Sequence, residues 1–162
     1  MTSELQNENG LRAVQVVKKF LEKMEMNPIE KASASGTAFL VALEGPANQA
    51  VLQVNVNAER LVTHFIFDGY VPADKRMAVA EYITRVNWGL IEGNFELNFD
   101  DGVLRYKGGL DFTSCELTEL WIRNCMLDGM NWIEIFATGV TEVIIGRLNP
   151  EEANKEARLY IR

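Results

Sequence analysis

Residues 93–112 read GNFELNFDDGVLRYKGGLDF, two alternating runs on either side of Asp-Asp-Gly. Phe95, Leu97 and Phe99 alternate with Asn94, Glu96 and Asn98; beyond the turn, Leu104, Tyr106 and Leu110 mark one face and Arg105 and Lys107 the other. A period of two is the pattern of a strand with one face in a core and one in water. Glycine accepts the positive φ of a type I′ turn and aspartate tolerates it better than most residues, so Asp101-Gly102 predicts a hairpin. A hairpin commits this part of the chain to an antiparallel sheet. It also assigns FDDG to a turn rather than a metal or acid–base site. A calcium loop takes roughly six to eight oxygens. Adjacent Asp100 and Asp101 would point to opposite faces of a strand, and Asp111 lies a whole strand away.

The rest of the chain supplies what such a sheet packs against. Residues 10–26 carry Leu11, Val14, Val17, Phe20 or Leu21, and Met24 at helical spacing, with Asn9 or Asn7 as the cap and Pro28 ending the helix. Three strands follow. SGTAFLVALE is apolar almost throughout and reads as buried on both sides. In the next strand Ala50, Leu52, Val54 and Val56 oppose Val51, Gln53, Asn55 and Asn57; RLVTHFIFD is rich in β-branched and aromatic residues. The short connections predict an antiparallel meander. A second helix opens near Pro72, shows Met77, Ala80, Ile83, Val86 and Leu90 on one face, and stops at Gly89 or Gly93. After the hairpin, Thr113 and Glu116 form the signature of a capping box for a third helix. Gly129, which costs about 1 kcal/mol relative to alanine in a helix interior, predicts a break before a second helical piece near 131–145. Asn149, Pro150 and the glutamates that follow start a last short helix, residues 149–160. The result is an α+β fold in one domain, 1–162, with its core in 11–146. Its five-stranded, mainly antiparallel sheet is packed by helices in the order α-β-β-β-α-β-β-α.

Charge narrows the partners. The net charge of -7 repels phosphate backbones, and no basic cluster offsets it, so nucleic acid and anionic membrane surfaces are excluded. The start, MTSELQNENG, is polar and acidic, and no run of about 18 apolar residues occurs, which places the protein in the cytoplasm. Cys115 and Cys125 agree with that setting: on one helix their separation of about 15 Å is too great for a disulfide.

No catalytic, cofactor-binding or metal residue emerges. His64, the one histidine, shares a strand face with Val62 and Ile66, and nothing brings it to Cys115 as a base. GLIEGN runs from helix into strand, the reverse of a phosphate loop, and KGG at 107–109 has no following lysine or threonine in P-loop register, so Gly108 and Gly109 read as a bend or a place where another backbone approaches. Trp88, Trp121 and Trp132 suit either core packing or partner contact.

RVNWGLIEGNFELNFDDGVLRYKGGLDF resembles the bacterial YbjN-like family, labelled sensory transduction regulators, whose pattern falls here on Asn87, Gly93, Phe95, Asp101, Gly102 and Arg105. The likeness extends in element order over about residues 34–146 and implies a fold like that of type III secretion chaperones. It implies a non-enzymatic, protein-binding or regulatory role, a protein partner, and a homodimer. With that role, the outward residues Gln53, Asn55, Asn57, Glu96, Arg105 and Lys107 are the candidate partner face. Two other readings stand beside it. One is a small-molecule binder or enzyme whose pocket between sheet and helices is lined by His64, Tyr70 or Tyr82. The other is self-assembly through the tryptophan-bearing long helix.

Overall fold

The computed structural model describes residues 7–161; the reading of the first six residues and the outermost limits of the domain lie outside them. Helix α1 (Glu8–Lys23) is capped by Asn7, whose side chain accepts from the N–H groups of Asn9 and Gly10. It buries Ala13, Val14, Val17, Phe20 and Leu21, while Leu11 and Met24, expected on that face, stand exposed. Met24 caps the end, and Glu25 and Asn27 take positive φ.

Six strands follow rather than five. β1 (Ile29–Ser33), β2 (Gly36–Ala42), β3 (Ala47–Asn55), β4 (Arg60–Phe67), β5 (Asn94–Leu97) and β6 (Leu104–Asp111) form one sheet in the order β1-β2-β3-β4-β6-β5, antiparallel throughout. The additional strand is β1, in IEKAS, directly after Pro28, where the sequence predicts only the end of the first helix. All five of its residues are exposed, so no alternation of hydrophobicity marks it; it is a strand because its backbone pairs with β2. β2 is not buried on both sides. Phe39 and Val41 face the core, and Ala38 and Leu40 are half-buried on the other face.

Between β4 and β5, a short 3-10 turn (Ala73–Lys75) leads into α2 (Arg76–Asn87). α2 buries Val79, Tyr82, Ile83 and Val86, a stripe rotated from the predicted one, and leaves Met77 exposed. β5 and β6 form the expected hairpin, but its connection is wider than a two-residue turn. Gly102 N–H bonds Asn98 O and Asn98 N–H bonds Val103 O, with Asp101 accepting from Val103 N–H. Gly102 alone of the pair takes positive φ.

α3 (Glu119–Ile145) starts at Thr118, which accepts from Trp121 N–H, and not at Thr113. Thr113 instead donates its N–H to Asp111 and accepts from Arg60. Cys115 therefore precedes the helix, and both cysteines are free. α3 runs unbroken through Gly129, because that glycine is required by packing against Phe65. α4 (Pro150–Arg158) carries a complete capping box between Asn149 and Glu152.

The helices cover one face of the sheet: α1 lies on β2 and β3, α3 on β4 and β6, and α2 on β5, with α4 outside α2 and α3. The core sits between, around Phe39, Leu52, Phe65, Tyr106, Phe112 and Phe136. Gly10 lets α1 approach the chain just beyond β3, since a Cβ there would lie 2.2 Å from Val56 O. Asn9 then donates to Glu59 Oε1 at 2.8 Å and Cys115 O at 2.9 Å, tying α1 to two loops.

Candidate functional site: the open face of the sheet

The face of the sheet turned away from the helices carries side chains from every strand. Cross-strand register aligns Ile29, Leu40, Val51, His64, Lys107 and Asn94 in one row across the sheet. Neighbouring rows bring in Ala38, Gln53 and Val62 on one side and Gln49, Ile66, Arg105 and Glu96 on the other. The row is apolar over β1 to β3 and becomes charged on β6. Ile29 is 65% exposed, and Leu40, Val51, Val62 and Ile66 are half-buried, because flat neighbours shield one another while no element of the described residues lies above them.

The predicted partner residues divide into two groups on this face. Glu96 accepts from Arg105 Nε at 2.7 Å, Lys107 Nζ at 2.9 Å and Asn94 Nδ2 at 3.3 Å. Gln53 Nε2 donates to Asn55 Oδ1 at 3.2 Å on β3, with β4 lying between the two groups. Asn57 lies off the face, exposed in the turn after β3. The apolar row is what sequence reasoning missed. Its signal is the absence of polar residues opposite Phe39 and Val41, a pattern that burial on both sides produces equally well.

The electrostatics follow from this packing. Burial raises the Glu96 carboxyl, but the hydrogen bonds from Lys107, Arg105 and Asn94 outweigh it and hold the group down at about 2. Burial, then repulsion from Arg105 and Lys107, lowers His64 against the opposing pull of Glu96. An unfolded glutamate titrates near about 4.3. A carboxyl depressed by folding contributes stability that is complete above that value and lost as pH falls toward 2. With partial exposure discounted, the loss should be on the order of 2 kcal/mol. The stability difference between wild type and Glu96→Gln should therefore close between roughly pH 5 and pH 2 in urea titrations. A difference constant across that range would remove Glu96 as the cause.

The residues proposed to line a pocket between sheet and helices do not converge. His64 is on the open face, Tyr70 is exposed beyond β4, and Tyr82 is buried with its hydroxyl donating to Phe136 O at 3.1 Å. Among the described residues no cluster of three or more His, Cys, Asp or Glu is placed to hold a metal ion, and no helix is long and apolar enough to cross a membrane. FDDG is the hairpin connection.

The tryptophans divide: Trp88 is 93% exposed and Trp121 is exposed, whereas half-buried Trp132 packs against the core and stacks on Phe136. Asn87 has a backbone role. It accepts from Phe95 N–H at 2.8 Å and donates to Phe95 O at 3.0 Å, occupying the outer edge of β5.

No family model and no curated protein matches the chain. Among solved structures, a chain of the HopA1–SchA chaperone–effector complex superposes with a TM-score of 0.54 at 12% identity, over 78% of this chain and 94% of that one. At that identity the likeness is one of fold. The shared property is the α+β fold, an antiparallel sheet packed by helices.

Proposed function

We propose that this chain is a non-enzymatic protein-binding module, chaperone-like or regulatory, acting in the cytosol. The observation that carries the reading is the open sheet face: among the described residues the six strands have helices on one side only, and the other side presents Ile29, Leu40, Val51, Val62 and Ile66 inside a polar rim. A contiguous apolar surface with such a rim is characteristic of protein contact. The similar fold belongs to a chain of a chaperone–effector complex, which supports the same use of this one. The likeness of residues 85–111 to the YbjN-like family adds a regulatory setting, and pairing of two copies is the self-assembling form of the same reading.

Crosslinking in intact cytosol followed by capture should yield a stoichiometric protein partner with crosslinks on the open face. Leu40→Asp with Val51→Asp should lower its yield about tenfold, the effect of losing roughly 1.4 kcal/mol of binding. Arg105→Glu with Lys107→Glu should also weaken capture without unfolding the protein. An unchanged yield in both variants, with crosslinks confined to the helices, would refute the assignment of this face.

A further inference from the structure

Strand β6 is longer than the neighbour that covers its outer side. β5 pairs with Leu104–Lys107 and extends no further, whereas β6 continues to Asp111 paired, among the described residues, with β4 alone. Phe112 donates its N–H to Glu59 O on the β4 side. Backbone groups alternate along a strand, so those of Asp111 and Gly109 turn the other way, toward the uncovered side. Both residues are exposed. Gly93, at φ 68, turns the incoming chain away before it could cover them. The sheet's two outermost edges differ from this opening. On β5, Asn87 occupies the Phe95 N–H and C=O. On β1, Glu30 and Lys31 place charges along a short, exposed strand, a common guard against further pairing.

The opening floors a groove of about 480 Å³ whose other wall is α3, with Leu110 and Trp121 as apolar surface and Cys125 half-buried between. Its charged lining is wholly acidic: Glu92, Asp111 and Asp128. Asp111 pairs with Arg60; Glu92 and Asp128 form no ion pair among the described residues. Their field reaches the groove wall. Burial first, then Asp128 and Glu92, push the Cys125 thiol up to about 11 and the Tyr106 hydroxyl to about 12.

We infer that the Gly109–Asp111 edge and the α3 groove beside it receive an extended peptide segment of mixed basic and apolar residues, which adds one strand to β6. The inference rests on the protein-binding reading and gives that function a second contact, separate from the open face. Backbone hydrogen bonds to Gly109 and Asp111 supply affinity, while side chains reaching Trp121, Leu110, Glu92 and Asp128 supply choice. The charge selects the occupant. A second copy would set its own carboxylates against these, and a nucleic acid would be repelled.

The test uses the whole protein and an acetylated, amidated peptide of alternating lysine and valine about six residues long, followed by amide hydrogen exchange. The peptide should slow exchange at Gly109 and Asp111 by at least about tenfold at saturation. Glu92→Gln with Asp128→Asn, both exposed positions, should weaken its binding about tenfold, and a glutamate–valine peptide should not protect these amides. Protection confined to Leu40, Val51 and His64 would overturn the β6 site while supporting the open face. Equal protection by both peptides would overturn the charge selection. Absence of protection at Gly109 and Asp111 together with absence of a crosslinked partner would overturn both readings.

Discussion

Phe136→Ala should destabilise the protein by about 3–5 kcal/mol, the range for truncating a buried aromatic ring. Phe136 is 1% exposed, and its ring meets Phe95 edge-on at 5.7 Å and Trp132 in a stack at 6.0 Å. Phe95 in turn meets Tyr106 at 5.3 Å and Phe67 at 6.0 Å. The ring therefore joins α3 to the hairpin strand that bears Glu96 and to the centre of the sheet. The backbone beside it receives the Tyr82 hydroxyl from α2, so neighbouring groups are held from several sides and cannot collapse into the void. Urea unfolding should show the loss as a lower midpoint with an unchanged slope. Tyr82→Phe removes only the hydroxyl and should cost about 1 kcal/mol. A Phe136→Ala loss no larger than that would mean the aromatic cluster repacks freely.

Local patterns made much of this fold legible. The alternation of Ala50, Leu52, Val54 and Val56 against Val51, Gln53 and Asn55 matches the buried and half-buried faces of β3. Asn149, Pro150 and Glu152 form the expected helix start. Each depends on residues within a few positions of one another. The failures share the opposite property. β1 is held by pairing with β2 and has no buried side chain to leave a pattern. Thr113 and Glu116 have the spacing of a capping box, but Arg60, from another strand, engages Thr113, and Ser114 at φ 64 turns the chain before α3 begins. α2 presents its Tyr82 stripe because Gly139 of α3 leaves the notch that the ring fills; a Cβ there would lie 2.1 Å from the hydroxyl.

The candidate site was legible to the same extent. Glu96, Arg105 and Lys107 could be assigned to one face of the hairpin by alternation, and the register brings them together. The apolar half of that face could not be recognised, since Leu40 and Val51 have the same chemistry as core residues. Only the placement of all the packed helices on the opposite face distinguishes them. The short β5 is equally nonlocal in consequence. Its end is set by the turn at Gly93, while the edge it leaves open belongs to Gly109 and Asp111.

Gly129→Val should cost about 3 kcal/mol, in the upper part of the range for overpacking a core, and lower Tm by roughly 6–12 °C for a chain of this size. Helix propensity taken alone gives the opposite sign for the smaller change, Gly129→Ala, with a gain of about 1 kcal/mol. Geometry decides between them. A Cβ at 129 would lie 2.1 Å from Phe65 Cε2 and 2.4 Å from Cδ2. Phe65 is fully buried at the middle of β4 and packs against Tyr106 at 6.4 Å, so its ring cannot swing aside without displacing a second ring. α3 is continuous here because the missing side chain admits the sheet, and the helix accepts the propensity cost in exchange for close approach. Gly129→Ala should therefore be destabilising by about 1–2 kcal/mol in the natural background. In a Phe65→Leu background, where the aromatic edge is gone, the same substitution should become neutral or stabilising, with a coupling of about 1–3 kcal/mol between the two sites. A Gly129→Ala variant that melts higher than the natural protein would show that propensity dominates and that the Phe65 ring has room to move.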